Sequence, residues 1–110
     1  MKLPKIVKVG YHVYEVREVE DLEKIAPKNL EVSGIWGFVD FEKAIIWIKK
    51  DIEDRWKKTT FIHELLHTIL EEAGMPQDSK AEKLILSIQN VFAQVFEDND
   101  FSFLRDKTGE

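Results

Sequence analysis

His63, Glu64 and His67 stand within the run Thr59-Thr60-Phe61-Ile62-His63-Glu64-Leu65-Leu66-His67-Thr68-Ile69-Leu70. Residues four apart on a helix project from one face, so both imidazoles reach a single Zn²⁺ at about 2.0 to 2.1 Å. Glu64, one residue round the cylinder, is placed to take the proton of a zinc-bound water whose pKa the metal lowers to about 7. This is the chemistry of metal-assisted peptide hydrolysis. The run contains no Pro or Gly and continues with uncharged Thr68 and apolar Ile69, as a buried active-site helix requires. The blander alternative is a helix with two exposed or core histidines.

Zinc needs a third protein ligand, and no His follows His67. The long-motif arrangement, with Gly and then His at three-residue steps after the second His, fails because those positions are Leu70 and Ala73. A carboxylate must serve. If the helix after Gly74 to Pro76 folds back antiparallel, His67 faces its first turn, where Glu82 lies. Glu82 competes with its own structural use, since Ser79 and Glu82 make a capping-box pattern. Glu71, Glu72 and Asp78 are the alternatives, the first a turn further down the same helix and the other two at the turn.

The elements that must position these groups are legible as patterns. Lys5 to Val19 is rich in Val, Ile and Tyr and reads as a strand, with a bulge or bend near Gly10 where the apolar side switches to Tyr14 and Val16. Leu22, Ile25 and Ala26 predict a short helix that Pro27 ends. Gly34 to Phe41 and Ala44 to Lys49 predict a β-hairpin. The active-site helix runs from Asp51 or Asp54 to Ala73, with Gly74 as its stop, and a second helix runs from Ser79 to about Phe96. Ile45 to Ile48 is either an edge strand that an extended substrate pairs with or a central buried one. His12 is either a carbonyl-polarising group or an ordinary strand residue. Trp36, Trp47 and Trp56 read as core or cleft wall. The whole is expected to be one α+β domain over residues 1–110, a small N-terminal sheet packed on two helices. Residues 98–110 are expected to be a tail, either flexible or inhibitory.

Composition narrows the function classes. The chain has 110 residues, 44% hydrophobic and 34% charged, the balance of one globular core. Its formal charge of −5 repels phosphate backbones, and the basic pairs Lys49-Lys50 and Lys57-Lys58 are flanked by acids, so no nucleic-acid partner is expected. The absence of Cys excludes disulfides, thiolate metal sites and a Cys nucleophile. Neither a membrane span nor an apolar signal core is present, and a cytoplasmic location is expected.

His63-Glu64-x-x-His67 with a downstream helical Glu resembles the gluzincin branch of zinc metallopeptidases, and the short chain as a whole resembles the minigluzincins. That resemblance covers nearly the full length, although only His-Glu-x-x-His is a specific motif. It implies His63, His67 and Glu82 as zinc ligands, Glu64 as general base and acid, and a peptide or protein substrate. It also implies a scaffold related to catalytic domains of integral-membrane metallopeptidases, and latency imposed by a terminal segment or by a second copy, as in a homodimer. One departure stands out: many gluzincins carry Asp four residues after the ligand Glu to orient the first His, and here that position is Leu86. A catalytically silent zinc-stabilised binding or inhibitory module is the alternative function. A metal-free helical-hairpin interaction domain is the third class.

Overall fold

The structure, a computed structural model, describes residues 1–27 and 36–106. It is α+β: four strands precede two long helices, with β1 (Ile6–Val9), β2 (His12–Val19), β3 (Gly37–Asp40), β4 (Ile45–Lys49), α1 (Asp54–Glu72) and α2 (Ser79–Asp98) in chain order. The sheet order is β1-β2-β4-β3, with β2 parallel to β4 and the other neighbours antiparallel.

The first segment is two strands rather than one bent strand. Val9 pairs with His12 across a two-residue loop, and Gly10 takes φ +59° at its first position, where a type II′ turn places glycine. The change of apolar side near Val13 therefore belongs to a hairpin. Leu22–Lys24 makes only a single 3-10 turn, capped by Asp21, in place of the expected short helix. The second hairpin forms as expected between β3 and β4, with Gly37 opposite Ile48 and Asp40 opposite Ile45. Gly34 and Ile35 of its expected first strand lie outside the described residues.

Ile46 and Ile48 of β4 are fully buried against α1, together with Tyr14 and Val9. Ile45–Ile48 is thus the central strand, hydrogen-bonded on both sides, and cannot take an added strand. Among the described residues the free edges are β1 and β3. α1 lies against β1, β3 and β4, whereas α2 packs chiefly on α1. α1 ends in a Schellman cap: Gly74 has φ +77°, its N–H donates to the Glu71 carbonyl, and the Met75 N–H donates to that of Leu70. The helices run antiparallel, and Lys58 near the start of α1 meets Glu97 near the end of α2 at 2.9 Å.

No helix among the described residues is long and apolar enough to cross a membrane. The tail turns back at Ser102–Arg105, with the Phe101 ring against Phe96, centroids 5.4 Å apart.

Candidate metal centre

α1 carries His63 and His67 one turn apart on the side that faces α2. Their ring centroids stand 5.1 Å apart at 61°. From α2, Glu82 Oε1 lies 2.7 Å from His63 Nε2 and 3.5 Å from His67 Nε2. One atom from each of the three side chains falls within 4.8 Å of the others. On a tetrahedral ion bound at about 2.0 to 2.1 Å, two ligand atoms stand about 3.3 Å apart. The observed separations bracket that value.

Glu82 is free for this role because the competing capping box with Ser79 does not form. Asp78 is the N-cap of α2, and its Oδ1 accepts from the Lys80 and Ala81 N–H groups. Ser79 is already inside the helix, and Glu82 projects towards the histidines. Its Oε1 is enclosed and has no hydrogen-bond partner despite the short approach to His63 Nε2. An orphaned carboxylate oxygen between two imidazole nitrogens is what a cation site requires. The residues fit a metal ion.

Two of the three rival carboxylates are otherwise engaged. Asp78 caps α2. Glu72 accepts from Tyr14 Oη at 2.8 Å and meets His12 Nδ1 at 2.7 Å; these two hydrogen bonds hold its carboxyl below the usual range. Glu71 does not join the His63, His67 and Glu82 group. His12 accordingly ties the first hairpin to the C-terminal end of α1 and does not line the metal cleft.

Glu64 faces the sheet side of the same cleft and is only 8% exposed. Burial, reinforced by the negative charge of Glu82, pushes its carboxyl up to about 8. β3 closes over it. A Cβ added at Gly37 would stand 2.8 Å from Thr60 Cγ2, 2.8 Å from the Trp47 carbonyl oxygen and 3.3 Å from Glu64 Cγ, so only glycine lets the strand lie this close to α1. The cleft, about 610 Å³, opens between β3 and α2, with Trp36, Phe38 and Leu86 as its apolar lining. Trp36 also packs on Trp56 of α1, centroids 5.6 Å apart. No described residue of the tail lines it.

Two residues that the sequence did not single out complete the centre. His63 Nδ1 lies 2.7 Å from Gln89 Oε1, and His67 Nδ1 lies 2.8 Å from Gln77 Oε1. Gln89 follows Glu82 by seven and so shares its helical face, a signal present in the sequence. Gln77 sits in the α1–α2 turn, and no periodicity points to it.

No protein-family model, curated protein or solved structure matches the chain.

Proposed function

We propose that the chain is a zinc-dependent metallopeptidase, in keeping with its resemblance to the minigluzincins. The observation that carries this reading is the convergence of His63 Nε2, His67 Nε2 and a Glu82 oxygen in the cleft that also holds the buried Glu64 carboxyl. Two imidazoles and a carboxylate, with no thiolate, form a donor set suited to zinc. When bound, zinc supplies Lewis acidity towards a carbonyl and makes water acidic.

The chain's own residues do the rest. His63, His67 and Glu82 would hold the ion from two helices. Glu64 takes a proton from water and returns it to the departing amine nitrogen. Burial raises its carboxyl to about 8, and a bound dication would lower it towards the range where a carboxylate both accepts and donates. The free edge of β3 offers main-chain groups to an extended peptide, the role that β4 cannot play. Trp36, Phe38 and Leu86 favour apolar side chains beside the scissile bond.

The test is elemental analysis of the purified chain and of His63→Ala, followed by cleavage of a quenched fluorescent peptide library by the chain and by Glu64→Gln. Near-equimolar zinc that is lost in His63→Ala, with cleavage lost in Glu64→Gln while zinc stays, is the expected result. Zinc binding with no cleavage favours a zinc-stabilised binding module. A chain that takes up no zinc overturns the reading.

A further inference from the structure

We propose that Gln77 and Gln89 are positioning residues of the metal centre, two uncharged amides that hold His67 and His63 with their protons on Nδ1 so that both Nε2 atoms face Glu82. This rests on the metal-site reading above and extends it to the groups behind the ligands.

Gln77 decides the matter for His67. Its Nε2 lies 3.1 Å from the main-chain oxygen of His67, which can only accept a hydrogen bond. The NH₂ end of the amide must therefore point there, which turns its carbonyl oxygen towards the His67 ring at 2.8 Å. A carbonyl oxygen is likewise only an acceptor, so Nδ1 must carry the proton. In the neutral ring the lone pair then sits on Nε2, on the side of Glu82. One side chain from the turn reads both the backbone and the ring of a single ligand, which fixes the tautomer and the ring plane together.

Gln89 does the corresponding work for His63 through one bond of 2.7 Å. It stands two turns beyond Glu82 on the same helix, so a ligand and the group that orients another ligand ride on one rigid element. Leu86, on the intervening turn, leaves the task to Gln89. An Asp or Glu behind each ring would add negative charge to a cluster that already contains Glu82 and the buried Glu64. The amide supplies the same acceptor without that charge. Without that charge an ion would be held less tightly than with a carboxylate behind each ring and would keep more of its pull on a fourth ligand.

The experiment measures zinc affinity by chelator competition for the full chain, for Gln77→Met and Gln89→Met, for Gln89→Glu, and for Gln94→Met, which alters an amide bonded to Asp98 instead. The Met variants should bind zinc about ten- to a hundredfold more weakly. Gln89→Glu should recover or exceed the wild-type affinity, and Gln94→Met should match it. Ring ¹⁵N–¹H spectra of the zinc-loaded chain give a readout that stability alone does not move. Two protected Nδ1–H signals are expected, and the His67 signal should be lost selectively in Gln77→Met. Met variants with wild-type affinity and both ring protons retained overturn the proposal while leaving the metal centre intact. A wild-type chain that binds no zinc, or a His63→Ala variant that binds as well as wild type, overturns the underlying reading instead.

Discussion

Glu64 is pulled in two directions. Folding removes its carboxyl from water and sets it near Glu82, so the proton is held more tightly in the folded protein, about 8 against an ordinary value of 4.5. Such a group contributes its full stability below about pH 4.5, where both folded and unfolded chains are protonated, and loses that contribution as pH rises through about 8. The metal-free protein should therefore weaken across this window, by on the order of 5 kcal/mol. Glu64→Gln, neutral at every pH, should flatten the profile and be the more stable protein at the alkaline end. Urea unfolding of both proteins at about pH 5 and about pH 8 measures this; equal slopes would contradict it. At this scale the sequence was most informative for His63, Glu64 and His67, because helical spacing alone sets their relation. It was silent on Gln77, whose place beside His67 exists only once the turn has closed. The choice of Glu82 was legible as helical-hairpin geometry, but its release from capping depended on Asp78, and two adjacent residues able to cap cannot be ranked from spacing alone.

Gly37 is the position where one element limits another. A methyl group there meets the Trp47 carbonyl and Thr60 Cγ2 at 2.8 Å, and a main-chain oxygen in a paired strand has little room to retreat. Gly37→Ala should cost about 1 to 3 kcal/mol and push β3 away from Glu64. Chemical denaturation checks the cost, and unchanged zinc affinity would show that the damage is confined to the cleft wall. The helices and the β3–β4 hairpin were legible because their periodicities are long or bounded by turn residues. The β1–β2 hairpin was not, because a tight two-residue turn interrupts an alternating pattern too briefly to break it, and fully exposed Tyr11 kept the apolar count going. The place of β4 was also ambiguous. Its apolar run fits either a buried centre or a sticky edge, and only the parallel pairing with β2 decides for the centre.

For the molecule as a whole, an ion held as proposed would clamp α1 to α2. Zinc at about a hundred times its dissociation constant should raise the free energy of unfolding by about 2.7 kcal/mol. Thermal melts with zinc and with excess chelator should differ accordingly, and His63→Ala should show no difference. The α+β architecture was readable from the order of apolar patterns, strands first and helices after. The sheet order was not, since β2 and β4 meet across a long intervening stretch that carries no pairing signal of its own. That long-range ladder also sets a timetable. The β1–β2, β3–β4 and α1–α2 hairpins each close through neighbours in sequence, whereas the β2–β4 ladder must wait for distant partners to meet, and local contacts form faster than remote ones. All three side chains of the candidate metal group belong to one such local unit, so their meeting does not wait for the sheet to close.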